Sequence, residues 1–251
     1  MKLLALDFDG VISDSAREAF VVALRAWREL APSTPLPAAA ERDSSLYARF
    51  LEAMPLGNRA EDFAVILAAL ERDRPLPDQA AYDAFYAEVD PELLRHFHQR
   101  FYQLRHEWCD RAPGEWFALM RPYAAFCGLL QRRACDVILA IATAKDRRSV
   151  RSLLERYGLA ALFPDERVLD KETGVSKRSH IEYFAEFFGL GFDEITFVDD
   201  KVNHLDNVAS LGARCVLAAW GYNGPREQRL ARQTGYLVCH LEDFEKRVFD
   251  C

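Results

Sequence analysis

The chain has little of what marks several functional classes. Its six cysteines, at positions 109, 127, 135, 215, 239 and 251, include no C-x-x-C pair, and no cysteine–histidine cluster has zinc spacing; the patterns of a structural zinc site are therefore missing. An even cysteine count does not by itself imply disulfides in a chain of 251 residues, and the plain expectation is reduced thiols in a cytoplasmic protein. No segment approaches the roughly 20 apolar residues that a membrane span requires. The opening run Met1–Leu6 is met at once by Asp7 and Asp9, so it is too short for a signal-peptide core. Cations are in deficit, with 32 Lys and Arg against 39 Asp and Glu and a formal charge of −7. That balance argues against a general nucleic-acid binder, which needs Lys and Arg along a phosphate backbone, and against a polybasic membrane anchor. A phosphate pocket remains open, since it needs only a few local cations and backbone donors. Internal repeats and low-complexity segments are also lacking.

What is present is a large apolar share, half of all residues, enough to bury a sizeable core in one large domain or a core plus a smaller unit. Leu3–Phe8 reads as a buried strand ending in acids and a glycine. Asp14-Ser15 then looks like a helix start, with Phe20, Leu24 and Trp27 at helical spacing and the prolines at 32, 35 and 37 as its stop. From about 43 to 110 the pattern is helical, broken at Pro55-Leu56-Gly57 and Pro75-Leu76-Pro77, with Asp90-Pro91 as a further helix start. After about residue 118 buried strands alternate with helices: 124–133 helix, 137–142 strand, 148–157 helix, 168–169 strand, 180–188 helix, 195–198 strand, a helix reaching Leu211-Gly212, and a strand at 215–219. This predicts an α/β fold, a Rossmann-like parallel sheet with helices on both faces. The expected domains are an α/β core from 1–14 and 118–251 and an inserted α-helical cap from 15–117.

In an open parallel sheet, ligands bind beyond the carboxyl ends of the strands. Three predicted strands end in reactive residues: Asp7 and Asp9, then Thr143, then Asp199 and Asp200. Carboxylates gathered in one crevice repel each other and lose solvation. A hard divalent cation removes that conflict, and oxygen-only ligation favours magnesium. Each feature alone has a plainer reading: Asp9-Gly10 as a turn, Thr143 as an ordinary strand end, Asp199-Asp200 as a helix N-cap pair. It is their joint placement that points to a site.

Leu4-Ala5-Leu6-Asp7-Phe8-Asp9-Gly10-Val11-Ile12-Ser13-Asp14-Ser15 resembles the opening motif of the haloacid dehalogenase-like hydrolases, in the phosphoglycolate phosphatase-like branch. Ala140-Ile141-Ala142-Thr143-Ala144-Lys145 is similar to the second motif, Lys177 stands where the third motif's lysine is expected, and Phe197-Val198-Asp199-Asp200 resembles the acidic fourth motif. The resemblance implies a magnesium-dependent phosphatase acting on a small phosphorylated metabolite. Asp7 would be the nucleophile that forms an aspartyl-phosphate. Asp9 would protonate the leaving oxygen and then activate water, while its backbone carbonyl helps hold the metal. Thr143 and the backbone near Gly10 and Ala144 would hold phosphoryl oxygens. Lys177 would neutralise charge, Asp200 would bind Mg2+ directly beside Asp7, and Asp199 would support that metal site. Dehalogenase and phosphonate-cleaving members lack the acid at position 9, so its presence favours an oxygen leaving group. Neither nucleic acid, nor membrane, nor an obligate protein partner is expected.

Some assignments stay open at this level. His204 departs from the Asp or Asn usual there: it is either a partner to the metal water or to Lys177, or an ordinary polar helix residue. Lys171 rivals Lys177. Arg59, in Gly57-Asn58-Arg59, is a candidate for meeting an anionic leaving group or else a solvated arginine. The aromatic stripe Phe85, Tyr86, Phe97, Phe101 and Tyr102 reads as core. Competing functions are a phosphomutase of the same superfamily, which would keep the phosphoenzyme from water, and a non-catalytic phospho-ligand-binding protein with the same fold.

Overall fold

The computed structural model of the chain describes residues 1–36, 38–57, 59–170, 172–174 and 176–250. Lys171 and Asn58 lie outside them. The chain divides into two compact units, Met1–Asp14 with Arg121–Cys251, and Ser15–Met120.

The first unit opens with β1 (Leu3–Leu6) and the two-residue β2 (Ser13–Asp14). β1 is shorter than the apolar run suggests. Beyond Asp7 the chain turns, and the carbonyl of Phe8 accepts from both Ile12 N and Ser13 N at 2.9 Å. Gly10 makes that turn with φ of 80°, a left-handed conformation that favours glycine.

The second unit is helical: α1 (Ala16–Leu30), α2 (Ser44–Ala53), α3 (Ala60–Glu71), α4 (Gln79–Glu88), α5 (Pro91–Arg111) and α6 (Pro113–Ala118). α5 starts as the sequence suggests, with Pro91 in its first turn and the Asp90 carboxylate accepting from Glu92 N at 3.0 Å. Phe85, Phe97 and Phe101 of the aromatic stripe are buried. α6 holds this unit past residue 117 because Trp116 is buried and its Nε1 donates to Glu18 Oε1 at 3.0 Å. The same Glu18 accepts two hydrogen bonds from Arg105, each 2.8 Å.

The first unit resumes with β3 (Arg121–Pro122), which pairs antiparallel with β2. There follow α7 (Ala124–Arg133), β4 (Ile138–Ala142), α8 (Arg147–Arg156), β5 (Val168–Leu169), α9 (Lys177–Phe188), β6 (Ile195–Asp199), α10 (Val202–Ala209), β7 (Arg214–Ala218), α11 (Pro225–Thr234), β8 (Leu237–Cys239) and α12 (Leu241–Val248). The last three are not read from the sequence, since β8 is short and α11 and α12 are rich in charge. α9 starts at Lys177 rather than His180 because the Ser176 hydroxyl accepts from Ser179 N and caps the helix there.

The sheet has six parallel strands in the order β5-β4-β1-β6-β7-β8. Leu3, Ala5, Ala140, Ala142, Ile195, Phe197 and Leu217 form one core with Ile181 and Phe184 of α9 and Leu205 and Val208 of α10. The alternate residues Leu4, Leu6, Leu139, Ile141, Val198 and Val216 are buried as well. Since successive strand residues face opposite ways, both faces of the sheet are covered, the α/β arrangement expected from the near-continuous apolar runs. Among the described residues no helix is long and apolar enough to cross a membrane.

Candidate active site

β1 lies between β4 and β6, in register, with Leu6 opposite both Ile141 and Val198. Asp7, Thr143 and Asp199-Asp200 therefore leave neighbouring strands at one level. Asp7 N donates to Val198 O and Thr143 N to Leu169 O, each at 2.9 Å, so both residues remain tied to the sheet edge.

Asp7 is buried, and its Oδ1 accepts from Phe8 N at 2.7 Å and from Lys177 Nζ at 2.7 Å. Lys177, in the first turn of α9, also reaches the carbonyl of Ala142 at 2.7 Å and Asp199 Oδ2 at 3.1 Å. One ammonium thus has three acceptors around it, matching its three protons. Burial alone would lower the pKa of Lys177, but Asp199 and Asp7 more than offset this and raise it. It stays charged. Asp7 is pushed up by burial and by Asp199, against the pull of Lys177.

Asp199 is held from the other side by His204, whose Nδ1 lies 3.0 Å from both carboxylate oxygens. Lys201 N adds a further bond to Asp199 Oδ1 at 3.0 Å. Burial favours its neutral form, yet His204 and Lys177 together hold its pKa well below the usual carboxylate range. His204 is therefore more than a solvated helix residue: it anchors the acid that shares Lys177 with Asp7.

Asp200 is in a different state. Its Oδ2 accepts from Tyr222 N at 2.7 Å, and its backbone carbonyl accepts from Asn223 Nδ2 at 3.1 Å. Its Oδ1 is buried with no hydrogen-bond partner among the described residues. Burial and the charges of Asp199 and Asp7 raise its pKa well above the ordinary value, against Lys201. A buried carboxylate oxygen without a donor, beside two more acids, is what a hard cation would satisfy. Asp7, Asp199 and His204 also bring ligand atoms within 4.8 Å of one another. There, however, Lys177 already sits against two of the three, and an added cation would be repelled. The donor set that fits a metal is thus centred on Asp200.

The glycine of the first motif is packed against this acid. A Cβ on Gly10 would meet Asp200 Oδ2 at 2.4 Å, and one on Gly221 would meet Gly10 O at 2.5 Å. The loop after β7, Gly221-Tyr222-Asn223, is thus part of the site, and sequence reading missed it. The signal in the sequence is a further strand, 215–219, that ends in a glycine turn. Thr143 is buried, its hydroxyl oxygen accepting from Lys145 N at 3.1 Å; Ala144 follows in the bend before α8, partly exposed. Lys145, quoted in the second motif but given no role, is buried with Nζ 3.2 Å from Asp9 Oδ1. Arg59, in the helical unit, is exposed, with Glu61 4.0 Å away.

A family model described as haloacid dehalogenase-like hydrolase matches residues 1–212. A curated phosphoglycolate phosphatase of Vibrio cholerae serotype O1 is 26% identical over 230 residues, which is 89% of this chain and 86% of that protein. The fold is also that of a solved structure from Haemophilus somnus 129pt, described as a predicted phosphoglycolate phosphatase, with a TM-score of 0.67 at 22% identity over 98% of this chain and 97% of that one. A haloacid dehalogenase-like family protein of Streptococcus pneumoniae aligns with a TM-score of 0.68 at 14% identity, over 97% and 96% of the two chains.

Proposed function

The chain belongs to the haloacid dehalogenase-like hydrolases, and we propose that it is a magnesium-dependent phosphatase that hydrolyses a small phosphate monoester through an aspartyl-phosphate on Asp7. The observation that carries this reading is the state of Asp7. It is a buried carboxylate at the end of the central strand, oriented by Phe8 N and Lys177.

In the first step a carboxylate oxygen of Asp7 attacks phosphorus, and the bond from phosphorus to the ester oxygen breaks. Asp9 gives that oxygen a proton, so an alcohol leaves. In the second step Asp9 takes a proton from water as the water oxygen bonds to phosphorus. The bond to Asp7 then breaks and orthophosphate departs. Lys177 offsets the repulsion between carboxylate and phosphoryl oxygens, and Asp199 and His204 keep it in place. The Thr143 hydroxyl, whose oxygen already accepts from Lys145 N, has its proton to offer a phosphoryl oxygen, as do backbone N–H groups near Gly10 and Ala144. Asp7, the Asp9 carbonyl and the unpartnered Oδ1 of Asp200 would hold Mg2+, with Asp199 in support through Lys177. When bound, the cation supplies charge neutralisation and Lewis-acid polarisation of the phosphoryl group.

The curated Vibrio cholerae relative makes phosphoglycolate the first ester to try. The helical unit 15–120, inserted between the two pieces of the α/β unit, is taken as the cap that selects substrate, and the free thiols of Cys109, Cys127, Cys135, Cys215 and Cys239 suit a cytoplasmic location. The test is orthophosphate release from a panel of phosphorylated metabolites with and without magnesium. Magnesium-dependent release supports the reading. A stable phosphoenzyme without release would replace it with a phosphomutase, and binding without either would make the chain a non-catalytic binder.

A further inference from the structure

We propose that Lys145 is a specificity-determining residue that recognises a negative charge on the leaving group, so that the substrate is a phosphorylated carboxylic acid. This rests on the phosphatase reading above and names the substrate class for that site. Two lysine ammonium groups point at the acids of the first motif, and their situations differ. Lys177 is fully committed, with Asp7, Asp199 and the Ala142 carbonyl around it. Lys145 has a side chain only 1% exposed, and its Nζ lies 3.2 Å from Oδ1 of Asp9, whose side chain is 25% exposed. Removing an ammonium from water costs several kcal/mol unless an anion meets it. The buried ammonium therefore needs an anion beside it, which is Asp9 here and a carboxylate of the substrate when one is bound.

The position of this pair follows from the chemistry. Asp9 has to reach the ester oxygen that leaves, so an ammonium within hydrogen-bond distance of Asp9 stands beside the leaving group. The oxygen that Lys145 holds cannot serve the ester oxygen at the same time. A neutral leaving group provides nothing to draw Lys145 away. A carboxylate one carbon from the ester oxygen does: the ammonium turns to it with a charge-assisted hydrogen bond, and the Asp9 oxygen is released toward the scissile bond. The backbone of Lys145 is fixed meanwhile by its N–H bond to the Thr143 hydroxyl, 3.1 Å, which couples the leaving-group cation to the phosphoryl-binding threonine.

The test compares 2-phosphoglycolate with 2-hydroxyethyl phosphate, which differ in carboxylate against hydroxymethyl. With magnesium, the unmodified protein is expected to favour phosphoglycolate in kcat/KM by about 100-fold, the worth of one charge-assisted hydrogen bond. Lys145→Met should lose that preference through phosphoglycolate, with a far smaller loss on the neutral ester, and Lys145→Arg should restore part of it. Equal fractional losses on both esters, or no preference in the unmodified protein, would overturn the proposal. Calorimetric binding of the same two esters to Asp7→Asn, with and without Lys145→Met, reads the recognition without turnover. Binding that prefers the carboxylate and needs Lys145 supports the proposal even if no ester is hydrolysed, in which case the phosphatase reading alone falls. Binding indifferent to Lys145 sinks the proposal whatever the turnover. If Lys145→Met does not fold, Lys145→Gln replaces it in both measurements.

Discussion

Both units of the molecule bury charge, and they do it to opposite effect. In the helical unit, Glu18 is buried with Arg105 on both oxygens and Trp116 on one of them. Within that cluster both Glu18 oxygens meet the Arg105 guanidinium at 2.8 Å, so the cluster fixes how α1, α5 and α6 pack. In the α/β unit, Asp7 and Asp199 share one lysine, and Asp200 keeps a buried oxygen with no partner. Closed pairing is structure; incomplete pairing at strand ends is capacity to bind. The cost of the second arrangement is burial and, with it, mutual repulsion, which together raise the pKa of Asp200 and of Asp7.

The strongest way to break this contrast is Asp7→Asn. Orthophosphate release should fall by at least about 10⁴-fold, the scale of removing a nucleophile, while circular dichroism stays that of the native fold. Retained turnover would remove Asp7 from the mechanism. Glu18→Ala should do the reverse. It removes both carboxylate oxygens that Arg105 binds and should cost about 3–5 kcal/mol in urea unfolding, with kcat per folded molecule unchanged. A variant as stable as the parent would show that the cluster does not hold the helices.

Next in size is a pH effect. His180 donates from Nε2 to the Asp170 carbonyl, 3.1 Å, while Nδ1 is buried with no hydrogen-bond partner among the described residues. Burial, then the nearby Lys177, lowers its pKa from 6.5 to about 4. Below about 6.5 the unfolded chain takes up a proton that the native state refuses. Stability therefore falls as pH drops from about 6.5 to about 4, by up to about 3 kcal/mol in all from this group. Urea titrations of the parent and of His180→Gln at both ends of that window should differ in slope with pH; parallel curves would refute it. The smallest expected effect sharpens the metal site. Asp200→Asn removes a repelled charge and should stabilise the magnesium-free protein by about 1–3 kcal/mol. The rise in Tm that magnesium gives the parent should vanish with it. A variant still stabilised by magnesium would move the cation elsewhere.

Much of the sheet was legible because its strands are buried on both faces and read as apolar runs: Leu3–Leu6, Ile138–Ala142 and Ile195–Asp199. The reactive residues at their ends were legible for the same reason, as the first polar groups after each run. The loop Gly221-Tyr222-Asn223 was not, because its function comes from backbone groups and from the room beside Gly10, neither of which has a side-chain signature. Lys145 was passed over because a lysine after a strand is usually solvated, and nothing local reveals that this one is buried.

The order of residues along the chain determined by itself the apolar periodicity, the turn at Gly10, the cap at Ser176 that starts α9, and which residue types end each strand. These depend on neighbours a few positions apart. Which acid shares Lys177, which carboxylate oxygen is left without a donor, and that Lys145 meets Asp9 were decided by tertiary structure alone. Those groups are brought together by strand order and register across segments far apart in sequence, and only there does burial turn a charge into either a closed pair or an open ligand.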